Sequence, residues 1–324
     1  MFDLVTVGNA VQDVFLKIAE EEAEVHCNIN KEECLICFNW ADKIPVEELT
    51  FSIGGNAANV AVGVSRLGLK AAFAAILGDD KTGREILEEL KKEGVDVSYV
   101  KIDKGSRSNY SVIINYKSER TILGYRYERK HGSYEIPESR WVYLTSMEKG
   151  FEAIYEQVFD WVEKKKIKMA FNPGTRQMKE IKDWRWVLKH TYILFVNKNE
   201  AKIILGQEEQ HMKKLLAGVA KMGPKIVVIT EGPQGSNAYD GKDIWRIGII
   251  REAPAVERTG AGDSFACGVV SAVLKGKDLG EALRWGTANA ASVIGKVGTQ
   301  PGLLTEAGMS EWLQRYGKIR AKLV

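Results

Sequence analysis

A glycine-rich turn that runs straight into a carboxylate, Thr259-Gly260-Ala261-Gly262-Asp263-Ser264-Phe265, is the stretch of this chain best suited to chemistry. The run Asp263–Leu274 is small, apolar and free of proline, and its pattern predicts a helix. Such a turn presents unpaired N–H groups at the positive end of a helix dipole. Phosphate or a developing anion suits that place. A carboxylate there would repel a resting phosphate, so Asp263 needs a task. General base catalysis supplies one. Asp263 would take the proton of a substrate hydroxyl while the amides of Gly260, Ala261 and Gly262 stabilise charge on a transferring phosphoryl group. Taken alone, the turn reads equally well as an ordinary glycine turn with an N-cap aspartate.

Four further groups fall in order along the chain. Gly8-Asn9 and Asp13 close the first strand, and Gly54-Gly55-Asn56-Ala57-Ala58-Asn59 opens a small-residue helix. Asn197-Lys198-Asn199-Glu200 gives N-x-x-E, and Thr230-Glu231-Gly232 with Gly235 gives T-x-G-x-x-G. With the turn at 260–263, these five motifs resemble those of the PfkB, or ribokinase-like, carbohydrate kinase family. The resemblance spans most of the chain.

It implies an α/β fold, a ribokinase-like three-layer α/β/α domain with a small β-rich lid. The activity implied is ATP-dependent phosphorylation of a hydroxyl group of a small sugar or sugar derivative, with Asp263 as base and the 260–262 amides as an anion hole. Asp13, Gly54, Gly55, Asn56 and Asn59 are then the substrate side: a carboxylate can accept two hydroxyls of a polyol, and Asn59 offers both donor and acceptor. Asn197, Thr230, Gly232, Gly235 and Asn289 fall on the nucleotide side, and Glu200 is expected to hold Mg²⁺ through water. The turn Gly298-Thr299-Gln300-Pro301-Gly302 belongs to the same region. Without the resemblance, Asn197 and Glu200 read as a helix cap and a surface glutamate. By the same token 230–241 reads as a turn into a hairpin, and Asn56/Asn59 as helix capping.

One departure from the family pattern bears on cofactors. Its second signature usually begins Asp-Thr, where the aspartate helps hold an activating monovalent cation; here the positions are Glu257-Arg258. Glutamate is one methylene longer and Arg258 is a competing fixed cation, so potassium dependence is expected to be weak or absent. A nucleoside kinase of the same family is the alternative function. Phe15, Phe38, Tyr110, Tyr116, Tyr125 and Tyr127 would then form a platform for the base. A catalytically silent ligand sensor is the third reading, and the intact Asp263 turn argues against it.

The elements that must position these residues alternate strand and helix from about residue 140, which implies a parallel sheet with helices on both faces. Two strand-rich blocks, 11–53 and 95–129, have no place in such a sheet and are read as a discontinuous β lid within a single domain, 1–324. Exposed strand edges on the lid suggest a homodimer through it. Arg107, opening a lid strand, reads as solvated.

Composition narrows the field further. With 46 basic and 43 acidic residues the net charge is +3, and no basic stripe interleaved with aromatics points to nucleic acid. No apolar run approaches a membrane span, and the N-terminus reads as a core strand, so the protein is expected to be cytoplasmic. There is no Walker A sequence and no GxGxxG after the first strand, which counts against P-loop and Rossmann sites. His26, Cys27, Cys34 and Cys37 invite a zinc assignment, yet Cys34 and Cys37 lie three apart on an expected strand and face opposite ways. Four cysteines in so long a chain do not suggest a disulfide framework.

Overall fold

The first strand, β1 (Phe2–Val7), ends at Gly8, and β2 (Val11–Ile18) leaves it for a second sheet. The computed structural model describes residues 1–28, 34–117, 119–129 and 132–324. A small hairpin, β3 (Glu24–Cys27) and β4 (Cys34–Cys37), leads into β5 (Val46–Gly54). Then follow α1 (Asn56–Arg66), β6 (Ala71–Gly78), α2 (Lys81–Lys92), β7 (Val100–Asp103), β8 (Tyr110–Tyr116) and β9 (Glu119–Tyr125). The alternating half of the chain comprises β10 (Ser139–Leu144), α3 (Phe151–Lys165), β11 (Lys168–Phe171), α4 (Thr175–Glu180), α5 (Trp184–Leu188), β12 (Ile193–Asn197), α6 (Lys198–Leu205), α7 (Met212–Ala220) and β13 (Ile226–Thr230). It closes with β14 (Ser236–Tyr239), β15 (Ile244–Ile247), α8 (Ala261–Leu274), α9 (Leu279–Val293), α10 (Glu306–Arg315) and β16 (Lys322–Leu323).

Among the described residues the main sheet has ten strands in the order β16-β15-β14-β13-β12-β11-β10-β1-β6-β7. Strands β13, β12, β11, β10, β1, β6 and β7 run parallel, and β14 to β16 add an antiparallel edge. Successive residues of the central strands enter opposite cores, as strand alternation requires. Val5, Val7, Val142 and Leu144 pack with Phe151, Tyr155 and Phe159 of α3. Leu4 and Tyr143 pack with α1, α8 and α9 through Val60, Val64, Phe265, Val269 and Leu283. The α/β/α layering expected of a ribokinase-like fold is therefore present.

The lid is a second sheet of order β5-β2-β8-β9. One of the expected boundaries changes. Residues 95–103 were assigned to the lid, but β7 pairs with β6 in parallel at the edge of the main sheet (Ala75↔Val100 to Gly78↔Asp103). A short, half-exposed edge strand shows the same loose alternation as a lid strand, so pattern alone does not separate them. The second lid block thus starts at Tyr110.

The cysteine reading is also corrected. Cys27 and Cys34 are directly opposed on antiparallel β3 and β4 and form a disulfide. Reasoning along one strand, from Cys34 to Cys37, missed the partner across the hairpin. Residues 29–33 of its turn lie outside the described residues. Cys37 is free and half-buried, and Cys267 is a small buried core residue, as expected. Among the described residues no helix is long and apolar enough to cross a membrane.

Alkylation of the denatured, unreduced protein followed by mass measurement is expected to label Cys37 and Cys267 only. Reduction first should add two further labels, on Cys27 and Cys34; four labels without reduction would refute the pairing.

Candidate active site

Parallel strands place their C-terminal ends along one edge, and ligands of open α/β sheets bind there. Asn9 follows β1, Glu148 follows β10, Asn197 ends β12 and Thr230 ends β13. Asn197 and Thr230 are register partners, so the two loops lie side by side. The N-termini of α1 and α8 reach the same edge through one side-chain bond: Asn59 Nδ2 donates to Asp263 Oδ2 at 2.8 Å.

Asp263 occupies the first turn of α8 and is buried. The helix is entered through Gly260, whose φ of +80° is left-handed and whose missing Cβ would sit 2.9 Å from Thr299 Cβ. Space is open above Gly262, where an added Cβ would meet nothing. The Gly262 and Asp263 N–H groups have no intrahelical partner by position. The Ala261 N–H makes only a long contact to Arg258 O, at 3.4 Å. Room, free amides and the dipole fit a phosphoryl group.

Asn59 is held in turn, because its Oδ1 accepts from Thr299 Oγ1 at 2.9 Å and Gln300 Nε2 at 3.3 Å. Asn56, at the start of α1, also favours the ionised Asp263 carboxylate, and its Oδ1 accepts from Ser146 Oγ at 3.1 Å. Gly54 ends β5 directly beside Asp13: a Cβ there would lie 2.0 Å from Asp13 Oδ2. Gly55 follows as the residue before α1. Asp13, Gly54, Gly55, Asn56, Asn59 and the 260–263 turn are thus brought together.

Burial pushes both carboxyls up. Desolvation is the leading cause for Asp263, opposed by the Asn59 and Asn56 donors, and its pKa stands at about 6. For Asp13 desolvation also leads, opposed by Ser111 and Arg126, with the negative charges of Asp263 and Glu257 adding to the rise; it too stands at about 6.

The residues expected on the nucleotide side form a second group. Asn197 and Glu200 make a capping box at the start of α6: the Glu200 N–H donates to Asn197 Oδ1 at 2.9 Å and the Asn197 N–H to Glu200 Oε2 at 2.7 Å. Burial raises the pKa of Glu200, opposed by the Asn197 N–H. Lys198 joins this loop to the next by an ion pair with Glu231 at 2.5 Å. Gly232 opens a short 3-10 turn and Gly235 follows it. Asn289 does not join them. It is fully buried, its Nδ2 donates to Ser264 O at 2.8 Å, and its Oδ1 accepts from the Leu304 N–H at 3.0 Å. With both ends of its amide consumed inside, Asn289 ties α9 to α8 and is corrected from a ligand contact to a positioning residue.

Sequence reasoning missed a polar group next to Asp13. Glu148 is buried, and its Oε1 accepts from Asn9 at 2.9 Å and Asn109 at 3.2 Å. Burial raises its pKa, opposed first by Arg126, then by Arg176 and Arg129. Arg126 lies 3.9 Å from that oxygen and donates to Ser111 Oγ at 3.2 Å. The position of Glu148 just beyond a core strand was the one available signal. Arg107 is exposed, and its carbonyl accepts from Arg129.

Residues 21–306 match the family model described as pfkB family carbohydrate kinase. This chain belongs to the pfkB family. Membership makes it an ATP-dependent carbohydrate kinase, and Asp13 lies just before the matched span. Among curated pfkB relatives, the 5-dehydro-2-deoxygluconokinase of Shouchella clausii is 28% identical over 283 residues, covering 78% of this chain and 84% of the relative. The fructoselysine 6-kinase of Escherichia coli is 27% identical over 263 residues, covering 79% and 94%. In fold, the chain is similar to the Methanocaldococcus jannaschii nucleoside kinase, an archaeal member of the ribokinase family (TM-score 0.78, 22% identity, 98% and 99% covered). The adenosine kinase of Sinorhizobium meliloti gives a TM-score of 0.79 at 22% identity, with 96% and 98% covered.

A native pKa above the ordinary carboxylate range means that the folded state holds this proton more tightly. The stabilisation so gained is complete below the unfolded pKa and is lost as pH rises through about 6. Asp263→Asn is therefore expected to melt above the wild-type protein at pH 8 and to lose that advantage at pH 4, with turnover reduced at least ~10²-fold. Melting and rate profiles across pH check both. An unchanged melting difference across pH would show that the aspartate is not a buried acid with a raised pKa.

Proposed function

We propose that this kinase transfers the γ-phosphoryl group of ATP to a hydroxyl of a small sugar or sugar derivative. The observation that carries the reading is the buried Asp263 at the glycine entry of α8, hydrogen-bonded to Asn59. Its anionic form accepts the proton of the substrate hydroxyl as the oxygen attacks phosphorus. Asn59 holds Oδ2, which leaves Oδ1 for the substrate hydroxyl. The amides at the start of α8 receive the charge that develops on the transferring group. Asp13 accepts from sugar hydroxyls further along.

The loops after β12 and β13 would hold the nucleotide, through Asn197, Thr230, Gly232 and Gly235. Glu200 fits a water-mediated Mg²⁺, because the capping box uses Oε2 and leaves Oε1 for a hydrated ion. When bound, Mg²⁺ neutralises phosphate charge; the protein supplies the base and the amides.

Within this class a sugar is favoured over a nucleoside. Cross-strand pairs share a face, and Tyr110 and Tyr125 pair in line with Gln12, on the face opposite Asp13. Phe15 and Tyr116 are buried, and the Tyr116 hydroxyl donates to Glu20 O at 2.8 Å. Three of the six aromatics needed for a base platform, Tyr110, Tyr116 and Tyr125, are therefore turned away from Asp13, while Phe15 shares its face. Arg126, between Asp13 and Glu148, offers a cation to a carboxylate, and the 5-dehydro-2-deoxygluconokinases among the relatives are named for a sugar acid. Sugar acids are the substrates to test first.

The lid also suggests a homodimer. Its face opposite Asp13 exposes Leu49, Phe51, Leu123 and Tyr125, and β5 and β9 are free edges. A monomeric mass in light scattering would refute this.

ATP turnover with Mg²⁺ across ketoses, aldoses, sugar acids, sugar phosphates and nucleosides tests the reading. Selective turnover of a sugar acid is expected, with Arg126→Ala raising its KM at least about tenfold and leaving neutral sugars little affected. Selective turnover of a nucleoside would overturn the sugar assignment. Turnover is further expected to be equal in sodium, potassium and choline buffers, and a many-fold potassium effect would sink that expectation.

A further inference from the structure

The segment that leads into the anion-hole turn is pinned from behind. Val256 and Glu257 both donate through their N–H groups to Ile294 O, at 2.7 and 3.0 Å. Glu257 is buried, and its Oε1 accepts from both the N–H and the hydroxyl of Thr259, the former at 2.8 Å. Thr259 is the residue before Gly260, so the Glu257 carboxylate shapes the entry to the turn. Its other oxygen, Oε2, is buried with no hydrogen-bond partner among the described residues. An unpartnered oxygen on a buried carboxylate is costly and calls for a donor.

The nearest cation comes from the lid. Arg120 follows the β8–β9 turn and pairs with Asn115, which aligns with Lys17 and so with the face that carries Asp13. Its Nε lies 3.7 Å from Glu257 Oε1, an ion pair too long for a hydrogen bond. A guanidinium can serve both oxygens of a carboxylate at once, so this pair is half made. A second pair crosses the same gap in the opposite sense, with Arg258 Nη1 3.6 Å from Glu119 Oε1. Consecutive residues Glu119-Arg120 thus face consecutive residues Glu257-Arg258 with complementary charge, which fixes how the strand meets the segment. A cavity of about 520 Å³ lies between them, lined by Lys17, Asn115, Arg120, Val256, Glu257 and Val297, and leaves β9 room to approach.

We infer that Arg120 is a lid-borne positioning residue: when the lid closes, its guanidinium takes both oxygens of Glu257, neutralises that carboxylate beside the transferring phosphoryl group and fixes the Thr259–Gly262 turn. Arg120 touches neither substrate nor nucleotide in this role. The charge of Glu257 already reaches the cleft, where it contributes to the raised pKa of Asp13. Leaving it uncompensated would oppose an incoming phosphate. The inference rests on the kinase reading for its effect on rate, but not for the pairing itself.

The test combines a double-mutant cycle with hydrogen exchange on the full chain. Arg120→Ala is expected to lower kcat at least about fivefold with little change in either KM. In a Glu257→Gln background, Arg120→Ala should cost nothing further, because the charge it answers is gone. Added guanidinium ion should restore part of the Arg120→Ala rate, and Arg120→Lys should retain more than alanine does. Independently of any activity, amides of Thr259–Asp263 should exchange faster in Arg120→Ala than in wild type, at unchanged melting temperature. Additive losses in the cycle, or exchange at the turn indifferent to Arg120, would overturn the inference. Absence of turnover in the wild-type protein would instead count against the kinase reading and leave the exchange result to decide the pairing.

Discussion

The hydrogen bond from Asn59 to Asp263 is the contact on which the cleft depends, and it exists because two helices approach unusually closely. One turn below that pair, Gly63 of α1 faces Cys267 of α8, and a Cβ on Gly63 would lie 2.4 Å from the Cys267 sulfur. Both helices are built of small residues at this seam, NAANVAVG against AGDSFACG. A larger side chain at Gly63 would separate the helices by a substantial fraction of a bond length or force a shift, since cores packed to crystal density have nowhere to put it. The small-residue pattern that looks like weak helix chemistry is what allows an amide on one helix to hold a carboxylate on the other.

Holding two carboxyls in such a place is destabilising once they ionise. Asp13 and Asp263 both titrate at about 6 for the same leading reason, the loss of water. The polar donors around them offset part of that cost. The remainder must come from the rest of the fold, including the aromatic cluster of Phe151, Tyr155, Phe159, Phe171 and Trp186 on the far side of the sheet. Cores on both faces of the sheet thus offset the cost of function at its edge, and a neutral residue at position 263 exchanges activity for stability.

Much of this was legible in the chain. The glycine turn, the α1 entry and the alternating second half announce local structure through residue types that are required on the spot, and the structure brings their residues to one edge. What was hidden depends on partners distant in sequence. Glu148 becomes a site residue only because Asn9, 139 positions away, and Asn109 bond to it. Arg120 is one charge on a strand until the register of β8 and β9 gives it the face of Asp13, and Arg126, just past β9, matters only through Ser111 and Glu148. Asn289 shows the converse. Its place in the family pattern suggested a nucleotide contact, while its burial between α8 and Leu304 could not be seen in the order of residues. Cys27 and Cys34 meet across a hairpin whose pairing no spacing along one strand reveals.

The lid makes register itself a functional quantity. A strand's side chains alternate faces, so a slip of one residue exchanges the two. In β2 such a slip would replace Asp13 on the cleft face with Gln12 or Val14, and would turn the carboxylate towards Leu49, Phe51 and Leu123. Two neighbours prevent it: β5 fixes Asp13 opposite Ser52 and β8 fixes it opposite Ser111. Gly54, at the end of β5, then closes against Asp13 with no room for a side chain. The apolar face opposite the cleft stays exposed, so burial there does not set which way the sheet turns. Strand register and the close contact at Gly54 set it, and they place Asp13 and Arg120 on one face of the lid.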